Sequence, residues 1–118
     1  MIFIVEDDAG ARDSLRLLLE CEGLEAKEFA SCEAFLNAGG AADADCLILD
    51  VYMPGMSGIE LLETMRRGDS TLPVIVMSGR MDAATRKRAL AAGALAVVEK
   101  PYQGKEVLDL VHLAIGRG

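Results

Sequence analysis

The sequence predicts an α/β fold in which a doubly wound, five-stranded parallel sheet carries helices on both faces. Short apolar runs alternate five times with segments of helical character, which is typical of successive β-α units. Four of the five runs are almost wholly apolar, as expected for parallel strands that are covered on both faces. Because crossovers between parallel strands are right-handed, few topologies remain, and five short strands favour the order 2-1-3-4-5.

Each element follows from its local pattern. Strands are predicted at residues 2–5, 25–29, 46–49, 73–77 and 95–98. Helices are predicted at residues 9–21, about 33–38, from the cap at Ser57 to about Arg67, 82–92, and about 104–115. Ser31 is the predicted N-cap of the second helix, and Ser57 with Glu60 three residues later forms a capping box. Gly93 ends the fourth helix.

Length and composition restrict the class of protein. The chain has 118 residues, which predicts one domain spanning 1–118, and 52% of the residues are hydrophobic, which argues against disorder. The apolar runs are far shorter than the roughly 20 residues that a membrane span needs, and no targeting segment precedes the first strand. The three cysteines lack metal-ligand spacing, so we expect reduced thiols in a cytoplasmic protein.

The net charge of the chain indicates which kinds of partner it can bind. Lys and Arg number 12 against 19 Asp and Glu, which gives a formal net charge of −7. A negative domain is repelled by the phosphate backbone of nucleic acids. We therefore expect no direct nucleic-acid contact by this domain. Because no apolar run is long enough to span a membrane, we also expect no association with a membrane.

Acidic residues cluster at the predicted switch point of this flavodoxin-like strand order. Glu6, Asp7 and Asp8 follow the first strand, and Asp50 follows the third strand beside it. The carboxyl ends of parallel strands share one edge, so these carboxylates are expected to meet in one crevice. For Asp8, helix capping is an equally good interpretation. Two carboxylates about 4 Å apart repel by about 4 kcal/mol at an effective dielectric of about 20, and Mg²⁺ is the usual ion that offsets such repulsion.

The ends of the later strands supply the remaining candidates. Asp50 is interpreted either as a residue that starts a turn or as a nucleophile that forms an aspartyl phosphate. Lys100 precedes Pro101, and a cis bond between them would aim the ammonium into the crevice. Ser78 and Gly79 offer a hydroxyl and an unhindered N–H to a phosphoryl oxygen, although Ser-Gly is also an ordinary turn dipeptide. Together these residues predict a site for a divalent metal and a phosphoryl group.

Four motifs resemble those of the receiver domains of two-component response regulators. In chain order they are Val5-Glu6-Asp7-Asp8, Leu49-Asp50-Val51-Tyr52-Met53-Pro54-Gly55-Met56-Ser57-Gly58, Val76-Met77-Ser78-Gly79 and Glu99-Lys100-Pro101. The resemblance covers essentially all 118 residues. The motifs look closest to those of receivers that precede a helix-turn-helix output domain.

The resemblance implies a set of site residues around Mg²⁺. Asp50 is then the phosphoacceptor and a metal ligand, Asp7 is a direct ligand, and Glu6 acts through water. The carbonyl of Tyr52 completes the protein's share of the metal ligands. Ser78 is implied as the switch hydroxyl, with Gly79 beside it, and Lys100 as the cation that contacts the phosphoryl group.

The implied function is Mg²⁺-dependent acceptance of a phosphoryl group from a sensor histidine kinase. The domain is then a phosphoacceptor that assists its own phosphorylation and dephosphorylation, and not an enzyme with an external substrate. Output would pass through residues 82–115 to regulate transcription by way of a DNA-binding domain absent from this chain. The apolar positions of the last helix are more numerous than one core stripe requires, which suggests a phosphorylation-dependent homodimer.

One departure and two alternatives accompany this prediction. Much of the family carries an aromatic residue on the fifth strand that moves with the switch hydroxyl, and Val97 stands at that position. One alternative is a stand-alone receiver that acts through protein–protein contacts. The other is a phosphatase with an aspartyl-phosphate intermediate, but such enzymes need an acid two residues after the nucleophile, where this chain has Tyr52.

Overall fold

The computed structural model describes residues 1–40 and 42–116, and they form a parallel five-stranded sheet with helices on both faces. The strands are β1 (Ile2–Val5), β2 (Ala26–Phe29), β3 (Cys46–Asp50), β4 (Val74–Ser78) and β5 (Ala96–Glu99). The helices are α1 (Ala9–Cys21), α2 (Cys32–Asn37), α3 (Gly58–Arg67), α4 (Ala83–Ala91) and α5 (Gly104–Ala114). The strand order is β2-β1-β3-β4-β5, which confirms the predicted order.

The predicted boundaries are wrong by one residue at several ends. Strands β3, β4 and β5 each end one residue later than predicted, so that Asp50, Ser78 and Glu99 lie inside the ladder. Backbone pairing does not depend on side-chain polarity, so a polar residue does not by itself end a strand. Strand β2 begins at Ala26 instead of residue 25, and β4 and β5 also begin one residue late.

Several of the predicted helix boundaries also differ by one residue from the observed ones, and at the N-terminal ends the position of the capping residue is the reason. Asp82 is the N-cap of α4 and not its first helical residue, because its carboxylate accepts the N–H of Thr85. Helix α2 begins directly after its cap, Ser31, and is therefore Cys32–Asn37 and not 33–38. Helix α4 ends at residue 91 and α5 at residue 114, each one residue before the predicted end.

The capping box predicted for α3 is present. The side chain of Ser57 accepts the N–H of Glu60, and the carboxylate of Glu60 accepts the N–H of Ser57, both at 3.2 Å. Asp8 is the N-cap of α1, since its Oδ2 accepts the N–H of Ala11 with an oxygen–nitrogen distance of 2.7 Å. The capping interpretation of Asp8 is thus confirmed.

Two hydrophobic clusters lie on opposite faces of the sheet. One joins alternate strand residues to α2, α3 and α4 through side chains such as Phe35, Leu61 and Ala89. The other joins the remaining strand residues to α1 and α5 through Leu19 and Val111. The sheet is therefore covered on both sides, and its carboxyl edge is the part that side chains from several strands can reach together.

The apolar surface of α5 is narrower than the sequence indicates. Val107 and Val111 are buried, and Leu108 and Leu110 pack partly against the second cluster. Leu113 is the large apolar side chain of this helix that stays exposed, with 62% of its surface accessible. None of the helices in the described part of the chain has both the length and the apolar character that a bilayer crossing requires.

We expect Gly58→Ala to destabilise the fold. A Cβ at Gly58 would lie 2.0 Å from the carbonyl oxygen of Asp50, so the backbone joining β3 to α3 would have to move. Overpacking of this kind costs about 1–3 kcal/mol. The free energy of unfolding from urea titration measures the change.

Gly10→Ala is the matched control for this substitution. Gly10 lies in α1, and the atom nearest to an added Cβ, Oδ2 of Asp8, is 3.4 Å away. Replacing a helical Gly by Ala lowers the entropy of the unfolded chain and stabilises by about 0.4–1 kcal/mol. Equal stability of the two variants would contradict the close approach at Gly58.

Candidate functional site

The strand order brings the acidic residues together at the carboxyl edge of the sheet. Strands β1 and β3 are neighbours, with Val5 paired to Leu49, so the next residues, Glu6 and Asp50, lie side by side. Asp7 follows in the loop before α1. One carboxylate oxygen from each of these three residues lies within 4.8 Å of the other two. The predicted meeting of these carboxylates in one crevice is observed.

The three acids differ in their exposure to solvent. The side chain of Glu6 is 4% exposed and that of Asp50 is 9% exposed, whereas Asp7 is exposed. The Oε2 atom of Glu6 is buried and has no hydrogen-bond partner among the described residues. An unpaired buried carboxylate oxygen is costly, and a bound cation or water at this position would offset the cost.

Lys100 supplies positive charge between the two buried acids. Its Nζ lies 3.0 Å from Oε1 of Glu6 and 3.3 Å from Oδ1 of Asp50. The Lys100–Pro101 peptide bond is cis, and the N–H of Lys100 donates to the carbonyl oxygen of Ser78. Burial alone would lower the pKa of Lys100, but its contacts with Glu6 and Asp50 raise it, so the ammonium form is held.

Burial dominates the titration of the two acids. It raises the pKa of Glu6 from 4.5 to about 7, against the opposing hydrogen bond from Lys100, and the charge of Asp50 adds to the increase. Burial also raises the pKa of Asp50, while Lys100 acts against the shift. The surroundings therefore disfavour the full negative charge of the site, and a bound cation would stabilise it.

An open cavity of about 350 Å³ lies over these groups. Its walls are formed by Glu6, Asp7, Asp50, Tyr52, Gly79, Arg80 and Lys100. Ser78 is placed differently. Its side chain is fully buried, and its Oγ accepts the N–H of Arg80 at 3.0 Å and donates to the carbonyl oxygen of Arg80 at 3.1 Å. Ser78 is thus adjacent to the cavity, but its hydroxyl is already occupied by the following turn.

The donor set fits a hard divalent cation. Mg²⁺ prefers oxygen ligands, binds one or two carboxylates and keeps several waters. Glu6, Asp7 and Asp50 supply carboxylate oxygens at one edge, and the exposure of Asp7 leaves room for water. The chain contributes an acidic cluster of the kind that such an ion binds.

The structure adds two residues that the sequence reasoning did not identify. Arg80 lines the cavity two residues after Ser78. Arg12, in the first turns of α1, donates from one guanidinium nitrogen to the carbonyl oxygens of Glu6 and Asp7. The sequence contains one indication that Arg12 makes a specific contact. A cation this close to a helix N-terminus opposes the helix dipole, and a compensating contact offsets that cost.

Known proteins share both the sequence and the fold. Residues 2–112 match the family described as response regulator receiver domain. The transcriptional regulatory protein FixJ of Azorhizobium caulinodans is 37% identical over 116 residues, which are 98% of this chain and 55% of that protein. The chain thus spans about half the length of the curated relatives it matches.

Solved structures agree with these relatives. A response regulator receiver protein from Pseudoalteromonas atlantica is 33% identical and superposes with a TM-score of 0.91, covering 98% of this chain and 96% of that one. The FixJ-N crystal structure is 33% identical with a TM-score of 0.87, covering 99% of this chain and 94% of that one. Both support the five-stranded order described above.

We expect the metal-free chain to lose stability as the pH rises from 4.5 to about 7, the ordinary and folded pKa values of Glu6. Between these values the Glu6 carboxyl is more protonated in the folded state than in the unfolded state, so its contribution to the free energy of unfolding falls as the pH rises. Glu6→Gln removes this titration and should flatten the slope, measured by urea unfolding in chelator.

Glu25→Gln, at an exposed position remote from the cavity, is the control and should keep the wild-type slope. An unchanged slope in Glu6→Gln would show that the burial of Glu6 does not govern this part of the pH profile.

Proposed function

The chain belongs to the response regulator receiver domain family, and from this we propose that residues 1–118 form one phosphoacceptor domain that takes a phosphoryl group from a sensor histidine kinase onto Asp50. Ala41 and the Arg117–Gly118 end lie outside the described residues. The observation that supports the proposal best is the placement of Asp50, which is nearly buried, faces an open cavity and has an ammonium 3.3 Å from its Oδ1.

The proposed reaction is a displacement at phosphorus. A carboxylate oxygen of Asp50 forms a new O–P bond while the P–N bond of a phosphohistidine breaks, and the electron pair leaves with the imidazole. Later, water attacks the aspartyl phosphate and regenerates the carboxylate with release of inorganic phosphate. The domain thereby assists both its own phosphorylation and its own dephosphorylation, mainly by positioning and charge neutralisation.

Residues at the acidic cluster would hold Mg²⁺. Asp7 and Asp50 are the proposed direct carboxylate ligands, the carbonyl of Tyr52 is a third, and Glu6 acts through water. When bound, Mg²⁺ supplies positive charge that neutralises the carboxylates and the phosphoryl oxygens. Support comes from the packing of these acids within 4.8 Å and from the unpartnered Oε2 of Glu6.

Lys100 and Gly79, which also line the cavity, would hold the phosphoryl oxygens. The Lys100 ammonium is proposed to stabilise charge on them, and the backbone N–H of Gly79 to donate to them. For Ser78 to act as the switch hydroxyl, its Oγ must leave the backbone of Arg80 and turn toward the phosphoryl group. Phosphorylation would therefore release the turn that leads into α4.

The biological role proposed for the longer protein is transcriptional regulation. The curated relatives include transcriptional regulatory proteins about twice as long as this chain, which supports a DNA-binding output domain beyond it. A stand-alone receiver that signals through protein contacts is the alternative architecture. A histidine kinase partner and a cytoplasmic location follow from the same proposal, as does the lack of direct contact with nucleic acid or membrane.

The proposed output face consists of residues 82–115, which include α4, β5 and α5. Exposed Leu90, Leu95 and Leu113 give this segment apolar surface, although less than the sequence suggested for α5. The phosphorylation-dependent homodimer remains a proposal that rests on this surface.

We expect Asp50→Asn to abolish stable phosphorylation and to leave the fold intact. An amide cannot serve as the nucleophilic carboxylate, and removing one charge relieves repulsion within the cluster, so the melting temperature in chelator should equal or exceed that of the wild type. Intact mass after treatment with acetyl phosphate or phosphoramidate and Mg²⁺ measures the added phosphoryl group.

Asp13→Asn, exposed on α1, is the control for this measurement and should be phosphorylated normally. Full phosphorylation of the Asp50→Asn variant would place the acceptor at another residue.

We expect Mg²⁺ to stabilise the chain in a manner that requires Asp7. Binding to the folded state alone adds about 2.7 kcal/mol at a hundredfold excess over the dissociation constant. Asp7→Ala should remove the thermal shift caused by Mg²⁺. Asp8→Ser is a close control because it removes the neighbouring charge but keeps a good N-cap for α1. If both variants lost the shift equally, the net negative charge of the loop would be the cause and not a ligand at Asp7.

A further inference from the structure

We propose that Arg12 is a positioning residue for the acidic turn, which we define as Glu6-Asp7-Asp8, and that it fixes this turn in the geometry that binds Mg²⁺. The inference rests on the proposed function, because it concerns the metal site of that function. Arg12 would touch neither metal nor phosphoryl group, and it would act through the backbone of the residues that do.

The contacts of Arg12 are with backbone and not with the carboxylates. Its Nη1 lies 2.8 Å from the carbonyl oxygen of Glu6 and 3.3 Å from that of Asp7. One guanidinium group thus holds two successive peptide units whose side chains point at the cavity. Fixing these carbonyls holds the backbone from which both carboxylates extend, and so restricts the positions that their oxygens can reach.

The guanidinium of Arg12 is itself held by an ion pair with Glu28. Its Nε lies 3.3 Å from Oε2 of Glu28, and both side chains are less than one fifth exposed. Glu28 is in β2, where it pairs with Ile4 of β1, so the anchor is part of the sheet. The guanidinium therefore joins the sheet to the acidic turn, and its planar, forked donors suit this double role.

The position of Arg12 is electrostatically unfavourable in other respects. A cation in the first turns of a helix opposes the helix dipole. It also opposes the binding of a second cation at the neighbouring acidic cluster. On charge alone, removing Arg12 should strengthen Mg²⁺ binding. If Arg12 positions the acidic turn, removing it should weaken Mg²⁺ binding. The direction of the change in Mg²⁺ affinity therefore separates the two effects.

Arg16 provides the matched comparison within the same helix. It carries the same charge, lies one turn further along α1, and bonds the same partner through Nη1 and Oε1 of Glu28. It has no hydrogen bond to the acidic turn. A variant of Arg16 therefore reproduces the loss of charge and of the Glu28 contact without the loss of the two carbonyl contacts.

The test compares Arg12→Met with Arg16→Met by calorimetric titration of the purified chain with MgCl₂. We expect Arg12→Met to bind Mg²⁺ about tenfold more weakly, in the range found when partners that orient metal ligands are removed. Arg16→Met should stay within about twofold of the wild type, because it does not contact the turn. Unchanged or tighter binding in Arg12→Met would overturn the proposal, and so would an equal loss in both variants.

Hydrogen exchange and a variant of Glu28 test the contacts of Arg12 independently of the affinity of Arg12→Met. In chelator, amide hydrogen exchange at residues 6–8 should be faster in Arg12→Met than in Arg16→Met, since the turn loses its contacts whether or not metal is present. Glu28→Gln, which leaves Arg12 in place but weakens its anchor, should reduce Mg²⁺ affinity in the same direction and by less. If Arg12→Met failed to fold, unchanged affinity in Glu28→Gln would overturn the proposal.

The outcomes also separate this inference from the proposed function. A wild-type chain that does not bind Mg²⁺ would overturn both. A wild-type chain that binds Mg²⁺ and an Arg12→Met variant with the same affinity would overturn the positioning role alone.

Discussion

Carboxylates of Glu6, Asp7 and Asp50 lie with oxygens within 4.8 Å of one another, and much of the surrounding structure acts against their mutual repulsion. Two like charges at about 4 Å repel by about 4 kcal/mol at an effective dielectric of about 20. Two of the three acids are nearly excluded from water, so solvent screens them little. Lys100 compensates in part through its contacts with Glu6 and Asp50, and it acts against the rise in pKa that burial causes in both acids.

The fold maintains this arrangement because each charged residue extends from a strand or from the turn that follows it. Val5 of β1 pairs with Leu49 of β3, and Glu6 and Asp50 are the residues that follow this pair. Lys100 directly follows β5. The backbone of each strand is bonded to its neighbours, so the backbone at Glu6, Asp50 and Lys100 cannot move apart without breaking sheet hydrogen bonds. The sheet therefore holds the charges at a distance that the side chains alone would not keep.

The periodic part of this structure could be predicted from the sequence. Apolar runs identify the strands, crossover handedness limits their order, and the shared carboxyl edge brings Glu6, Asp50 and Lys100 together. The bonds of Ser78 to the backbone of Arg80 and of Arg12 to the acidic turn could not be predicted, because they depend on turn geometry and rotamers. The extent of exposed apolar surface on α5 could not be predicted either. The sequence shows more apolar positions than one core stripe needs, but it does not show how many of them the packing of α5 on the sheet covers.

Helix α4 is packed weakly enough on the sheet for a structural change at the site to alter its position. Ala89 is the buried residue of this helix, whereas α3 buries four residues, so α4 has the weaker hold on the sheet. Polar contacts complete its attachment: the hydroxyls of Tyr52 and Thr85 lie 3.3 Å apart, and Arg88 forms two hydrogen bonds with Glu63. Exposed polar contacts contribute little free energy and are readily exchanged. Because Tyr52 lines the cavity and also touches α4, the site is connected to this helix without an aromatic residue at Val97.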